Sequence, residues 1–207
     1  MKKIFLSLSL LICILTACKK IAVEPAVTKI EEEYPFQALL EKTKYNEFKA
    51  DALKSEFSFK NHEIGFRFSP IVNGDITAIQ VDLPKLQNNV RVVIWDNTTR
   101  KPIFSKSINY NLTNEILTLP IEPFSLVKDG QYTISFVAEG SVYFNSTKKA
   151  EDADIIKYPL VIGNIKILGQ VVAKMSDPNV RVFPNEVYSN IAPFIFGNVG
   201  FAFKKSA

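Results

Sequence analysis

From Glu63 onward, apolar and polar residues alternate in short runs that are separated by Pro, Gly, Asn and Asp. The apolar positions of three such runs are Phe66 and Phe68; Ile79, Val81 and Leu83; and Tyr132, Ile134 and Phe136. This period of two predicts antiparallel strands with one buried face. Candidate turns lie at residues 73–75, 87–89, 96–99 and 128–130. Their spacing predicts a mainly β protein with an antiparallel β-sandwich fold.

The sandwich is expected to span residues 57–207. Near its end, Ile195, Val199, Phe201 and Phe203 have one parity, which predicts a last strand that closes a sheet near the C-terminus. Upstream, residues 35–56 form a different kind of segment, with apolar residues at spacings near three and four. This pattern predicts a short helical lead-in that packs on the sandwich. The alternative is an amphipathic helix that binds a peptide.

The N-terminus has the layout of a bacterial lipoprotein signal. Positive charge at Met1–Lys3 precedes the apolar run Ile4–Leu15, which has about 12 residues and is too short to cross a bilayer, for which about 20 are needed. Leu15-Thr16-Ala17-Cys18 resembles a lipobox. Residues 1–17 are therefore predicted to be a signal peptide, and Cys18 the acylated first residue of the mature protein. The alternative is a chance cysteine after an ordinary secretory signal.

Lipidation of Cys18 implies a location in the cell envelope, with the protein held in the outer membrane by its acyl chains, because two chains suffice for stable anchoring. Whether the periplasmic or the surface face carries the protein stays open. Residues 18–34 contain Pro25 and alternating charges without an apolar period, which predicts a flexible tether.

Composition excludes several classes of chemistry. The formal net charge of +4 on 207 residues gives no case for nucleic acid as a partner. One histidine and two cysteines are too few for a His-based metal cluster or a conventional zinc site. Cys13 lies in the predicted signal peptide, and His62 precedes the first predicted strand, where a surface or turn histidine is the simpler interpretation.

Several short motifs occur in the order typical of one bacterial family. They are Asn61–Phe68, Asn73–Ile79, Val93–Asp96, Ile121–Phe124, Gly130–Phe136, Val182–Asn185 and Asn198–Phe201. Together they resemble domain of unknown function 4082 over roughly residues 57–203. The chain departs from the family pattern at Phe194 and Phe196, near where members have a Tyr-Trp pair. The resemblance implies a jelly-roll or galactose-binding-like sandwich in an extracytoplasmic protein, and it implies no catalytic residues.

Two places are candidates for glycan binding. Tyr143, Phe144 and Asn145 fall in a predicted loop, where aromatic rings and an amide are available to a sugar. The alternative is that Tyr143 covers the edge of the sandwich. Trp95 is the second candidate, as a platform for a sugar ring. Because the apolar run Val92–Ile94 precedes it, a tryptophan in the core or on a sheet face is the favoured interpretation.

Acidic residues suggest two further chemistries. Glu151, Asp152 and Asp154 form the densest acidic cluster and offer oxygen ligands for Ca²⁺, although the Gly and distant Glu of an EF-hand loop are missing. No other cofactor is expected. Asp96 and Glu139 are candidates for the paired carboxylates of a glycoside hydrolase. Their positions in predicted turns explain both residues without a reaction.

The sequence therefore predicts a non-enzymatic, lipid-anchored envelope protein whose sandwich is a binding or structural module. Its expected partners are the membrane, through the N-terminal lipid, and a glycan or another envelope protein. Two alternatives remain: a carbohydrate-active hydrolase, and a subunit of a surface assembly that pairs through an exposed edge strand.

Overall fold

The computed structural model describes residues 31–43, 61–83, 86–112, 115–137, 143–145, 156–177, 180–188, 190–191, 194–196 and 199–206. Within these ranges a helix, α1 (Pro35–Thr43), precedes a series of antiparallel strands. The strands are β1 (His62–Pro70), β2 (Gly74–Val81), β3 (Gln87–Asp96), β4 (Lys101–Tyr110), β5 (Leu117–Leu126), β6 (Tyr132–Val137), β7 (Tyr143–Asn145), β8 (Ile156–Lys157), β9 (Leu160–Ile162), β10 (Ile165–Lys174), β11 (Glu186–Tyr188), β12 (Asn190–Ile191), β13 (Phe194–Phe196) and β14 (Val199–Lys205).

Two sheets pack face to face. The larger sheet has the strand order β11-β10-β1-β6-β3-β4, with β9 paired to β10, and the smaller has the order β14-β2-β5. Two short ribbons, β12-β8 and β13-β7, accompany them. The prediction of a mainly β, antiparallel sandwich preceded by a short helix is confirmed. The predicted closing strand is β14, whereas Ile195 belongs to the separate strand β13.

The core lies between the sheets and follows the predicted alternation. Its fully buried aromatic members include Phe68 and Phe136 from the large sheet, and Phe201 and Phe203 from β14. The rings of Phe68 and Phe201 meet across the sandwich, with their centroids 4.7 Å apart. Residues of β5 are less buried, because this strand lies at the edge of the small sheet.

Of the four predicted turns, two are confirmed, one is displaced and one is wrong. The displaced turn is that at 73–75: the bend between β1 and β2 lies at residues 71–72, and Gly74 and Asp75 already belong to β2. Residues 97–100 and 128–129 form turns, but residues 87–89 lie within β3, where the pairing register shifts between Gln87 and Val90. Asn89 has a φ of 57° there. Because asparagine tolerates this left-handed conformation in bulges as well as in turns, its presence did not distinguish the two.

Helix α1 docks on the core, as predicted for the start of the lead-in; residues 44–60 lie outside the described ranges. The Phe36 ring packs on Phe66 at 4.7 Å and on Phe201 at 5.3 Å, and Leu39 is fully buried. The chain just before the helix is also attached: Glu33 forms a β-bridge with Phe203. The predicted tether is therefore paired with the sandwich at its C-terminal end.

Both faces of the large sheet are buried at its centre, which corrects the expectation of a single buried face. Thr133 and Ser135 point away from the core on β6, yet both are fully buried. The residues that cover this outer face are 175–177 and 180–184, which we call the covering segment; Met175 and Pro184 are buried there. The alternation of apolar and polar residues shows only which face of a strand is polar. Polar side chains that are buried under a covering segment therefore give the same sequence pattern as exposed ones.

Candidate functional site

The outer face of the large sheet carries a buried polar network of Glu63, Arg91, Trp95 and Ser135. The Trp95 Nε1–H donates to Ser135 Oγ at 2.8 Å, and the Ser135 hydroxyl donates to Glu63 Oε1 at 2.8 Å. Arg91 Nη2 completes this series of contacts with an ion pair to Glu63 Oε2 at 3.1 Å. We call these four residues the outer-face network.

Glycine makes this network possible on β1. Gly65 faces Ser135 of β6, and a Cβ placed on Gly65 would lie 1.9 Å from the backbone oxygen of Ile134. A larger residue would therefore push β6 away from β1 at the point where Ser135 reaches Glu63.

Burial raises the pKa of the Glu63 carboxyl above its ordinary value. The Ser135 hydrogen bond, the Arg91 charge and the backbone N–H of Val182 act in the opposite direction but do not overcome burial. A carboxylate with no exposed surface and three protein partners holds the fold together and offers no oxygen to a ligand.

The covering segment, residues 175–177 and 180–184, closes the outer-face network against solvent. Arg91 Nη2 also contacts Met175 Sδ at 3.6 Å and donates to the Val180 carbonyl oxygen at 3.5 Å. The Phe183 ring meets the edge of Trp95, with centroids 5.7 Å apart and planes at 80°. The motif Val182–Asn185, which contains Phe183, thus covers the outer face of the large sheet.

Next to this network lies a group of residues with a different character, which we call the basic corner: Arg67, Asn97, Arg100, Thr133 and Phe183. Arg67 and Trp95 flank Thr133 as its cross-strand partners on β1 and β3. The Thr133 hydroxyl donates to Asn97 Oδ1 at 2.8 Å. The Arg100 guanidinium lies over the Phe183 ring, 5.8 Å from its centroid, within the range of cation–π attraction.

Trp95 is not an exposed sugar platform. Its side chain is 3% exposed, its Nε1–H is bonded to Ser135, and Phe183 covers its edge. The interpretation as a sheet-face tryptophan is correct. The preceding apolar run indicated burial because β3 lies in the interior of the large sheet.

Tyr143, Phe144 and Asn145 form a strand, which corrects the prediction of a loop. This strand, β7, pairs with β13 so that Tyr143 lies opposite Phe196 and Asn145 opposite Phe194. The two aromatic segments singled out in the sequence are therefore neighbours. A three-residue strand is too short to give a recognisable alternation, and its partner lies about 50 residues further along the chain.

The remaining candidate residues fall into two groups. Cys18, Glu139, Glu151, Asp152 and Asp154 lie outside the described residues, so their predicted roles stay predictions. Asp96 is described and closes a turn: its Oδ1 accepts the Thr99 backbone N–H at 2.8 Å and the Thr99 hydroxyl at 3.1 Å.

His62 begins β1, opposite Lys174. Among the residues that the structure describes, no three His, Cys, Asp or Glu side chains come together as metal ligands.

Asp82 is a half-buried carboxyl at the end of β2. Burial raises its pKa from 3.8 to about 6. Tyr110 is close enough for the Asp82 charge to contribute to the raised pKa of the phenol, for which burial is the main cause. Asp82 is thus destabilised as a carboxylate at neutral pH.

Sequence reasoning missed Glu63, Arg91 and the basic corner as sites. One signal was present: Glu63, Arg67, Arg91, Thr133 and Ser135 all occupy the non-core parity of their strands. Which of these positions meet depends on the strand order β1-β6-β3, and this order is not readable from the spacing of the strands along the chain.

Comparison of the chain with protein-family models and with curated proteins finds no match. No helix in the described part of the chain is long and apolar enough to span a membrane. The resemblance to domain of unknown function 4082 stays a prediction.

Proposed function

We propose that the protein is a non-enzymatic, lipid-anchored component of a bacterial cell envelope, and that its sandwich is a binding or structural module. The observation that carries the proposal is the lipobox Leu15-Thr16-Ala17-Cys18 at the end of a short apolar run. Acylation at Cys18 attaches the sandwich to the membrane through the predicted tether.

Four carboxylates among the described residues have structural roles, which supports a function without catalysis. Glu63 is enclosed in an ion pair, Asp96 closes a turn, and Asp75 accepts the Ser125 hydroxyl at 2.7 Å. Glu33 accepts the Asn164 backbone N–H at 2.7 Å and a second hydrogen bond from the Asn164 amide. Each of these groups stabilises a turn, a strand pair or a buried contact, and hydrolysis would need carboxylates that face a substrate.

The exposed edge of the large sheet gives little support to assembly through strand pairing. Edge strand β4 carries Lys101 and Lys106 as exposed residues, and lysines on an edge strand oppose pairing with a second chain. A binding module that acts as a single copy is therefore the preferred form of the proposal.

Metabolic labelling with a palmitate analogue tests the anchor. We expect the wild-type protein to be labelled and recovered with membranes, and Cys18→Ala to be unlabelled. Cys13→Ala is the matched control, because this cysteine lies in the predicted signal peptide and its loss leaves labelling unchanged. If wild type and Cys18→Ala are equally unlabelled and equally soluble, the lipoprotein proposal fails.

A further inference from the structure

The basic corner holds two arginines, Arg67 and Arg100, for which no ion pair is found among the described residues. The ion pair of the neighbouring outer-face network, between Arg91 and Glu63, includes neither of them. The two guanidinium groups are near enough to repel: burial lowers the pKa of Arg67, and the charge of Arg100 lowers it further. A half-buried guanidinium close to a second positive charge is unfavourable for the fold unless an anion joins the two.

Hydrogen-bond donors at the same place also lack acceptors. Arg67 Nε and Asn97 Nδ2 are both closed to water, and neither has a hydrogen-bond partner in the described part of the protein. Thr133 joins the two side chains, since it is the cross-strand partner of Arg67 and donates to Asn97 Oδ1. A buried donor without an acceptor destabilises the folded protein, so acceptor atoms placed at this corner would be stabilising.

The backbone conformation of Arg100 is a third observation that favours a function for the basic corner. Arg100 is in the left-handed conformation, with a φ of 56°, at the end of the turn between β3 and β4. Glycine or asparagine takes this conformation more easily than arginine does. An arginine held in a strained turn, placed over Phe183 and beside a second arginine, is typical of a residue retained for function rather than for stability.

We propose that Arg67, Asn97 and Arg100 form a binding site for an oxyanion: a carboxylate, sulfate or phosphate group. Guanidinium groups bind such groups through paired, charge-assisted hydrogen bonds. The Phe183 ring packs against the Arg100 guanidinium, and the Trp95 ring packs against Phe183. Because Arg100 is exposed and lies on a turn, its side chain can move aside for an entering anion without breaking a sheet hydrogen bond.

The site is independent of the lipid anchor. Its ligand has two sources that share this chemistry: a free inorganic anion, or an acidic sugar such as a uronate. The Asn97 amide and the Phe183 ring suit a sugar that carries the anionic group.

Calorimetric titration of the full-length protein in mild detergent tests the site, with sodium sulfate, sodium phosphate, a glucuronate oligosaccharide and a neutral glucose oligosaccharide as probes at constant ionic strength. We expect the wild type to bind at least one of the anionic probes and not the neutral one. Arg67→Gln and Arg100→Gly should each weaken that binding about tenfold or more, as expected for loss of a charge-assisted pair. Tighter binding of sulfate or phosphate would identify a free inorganic anion as the ligand, and tighter binding of the glucuronate oligosaccharide would identify an acidic sugar.

Lys106→Gln is the matched control, because it removes one positive charge from an exposed position of the same sheet. It should change the affinity by less than about twofold, as isolated surface charges do. The proposal is overturned if no anionic probe binds, if the arginine variants bind as well as the wild type, or if Lys106→Gln loses as much affinity as they do. Equal binding of the neutral sugar also overturns it.

A stability measurement separates binding from a structural role. Without ligand, Arg100→Gly should unfold at the same temperature as the wild type or higher, because the charge repulsion and the left-handed arginine are both removed. Sulfate stabilises proteins in general because it is excluded from their surface. The informative quantity is therefore the difference between two shifts: sulfate should raise the unfolding temperature of the wild type more than that of Arg100→Gly. A large loss of stability in Arg100→Gly with equal sulfate shifts would show that the arginine is structural.

Discussion

At the scale of single residues, the Glu63–Arg91 pair shows how the sheet tolerates charge inside the protein. Glu63 has no exposed surface, and the Arg91 side chain is 13% exposed. Taking both charges out of water is costly, and their attraction offsets the cost only while both are present. The pair therefore selects one arrangement of β1, β3 and the covering segment.

Replacement of Arg91 by methionine should destabilise the protein in a pH-dependent way. Glu63 has a raised pKa, so its contribution to stability is largest below the ordinary value of 4.5 and is lost as the pH rises above that value. Without Arg91 the carboxylate is buried unpaired, and we expect a loss of about 3–5 kcal/mol at neutral pH and a smaller loss at acidic pH. Urea unfolding followed by Trp95 fluorescence across this pH range measures the difference.

Lys106→Met is the control for that experiment, since it makes the same kind of change at an exposed position of β4. Glu63→Gln combined with Arg91→Met should recover part of the neutral-pH loss, because no charge is then left buried. A loss for Arg91→Met that is the same at acidic and neutral pH would contradict the role assigned to the Glu63 charge.

Asp82 provides a second titration at the residue scale. Its pKa is raised from 3.8 to about 6, so the folded state holds the proton more tightly, and stability falls as the pH rises through this interval. Asp82→Asn should remove this fall and increase the free energy of unfolding at neutral pH by roughly 3 kcal/mol. Thermal unfolding between acidic and neutral pH tests this. Glu122→Gln, at an exposed position of β5, is the matched control.

At the scale of the elements, sequence alternation identified β1, β2, β6 and β14, and the apolar spacing of three and four identified the docked helix, whereas β4 and β10 of the large sheet were not singled out. Tyr132, Ile134 and Phe136 face the core as their parity predicted. The alternation did not reveal that Thr133 and Ser135 are covered as well, because the covering segment has no periodic pattern of its own. The segment of β7 was predicted to be a loop because three residues are too few to show an alternation.

The candidate site was predictable only in part. Trp95 was recognised as a sheet-face residue from the apolar residues before it, and Phe183 belonged to a motif noted for its family resemblance. Arg67 and Arg100 lie 33 positions apart in the sequence, and they come near each other because β1 and β3 flank the same strand, β6, in the large sheet. Contacts of this range depend on strand order, which local patterns do not encode.

Helix α1 offers a test at the same scale. Leu39 is fully buried on the helix face that meets the sandwich, so Leu39→Ala should cost about 2–5 kcal/mol of stability through lost burial and a cavity. Gln37→Ala, which removes a hydrogen bond to the exposed Glu41, should be nearly neutral. Urea unfolding of both variants is the measurement. Equal stability of the two would mean that the helix is not a part of the cooperative unit.

At the scale of the whole molecule, β14 connects the parts of the sandwich. It pairs with β2 on one side and with Glu33 on the other, which brings the end of the chain against the start of the described domain. Its Phe201 ring contacts Phe36 of the helix and Phe68 of the large sheet. One strand therefore links the small sheet, the large sheet and the N-terminal segment.

Deletion of residues 199–207 should leave the protein unfolded. Phe201 and Phe203 are fully buried, and the loss of a buried phenylalanine costs about 3–5 kcal/mol, so the two together approach the 5–15 kcal/mol that holds a typical domain folded. Deletion of residues 206–207 removes the hydrogen bond from Ser206 N to the Asn73 carbonyl oxygen but keeps all of β14, and we expect it to be tolerated. Circular dichroism and resistance to protease, compared for the two truncations, measure the effect. A cooperative unfolding transition in the longer deletion would show that the sandwich folds without its closing strand.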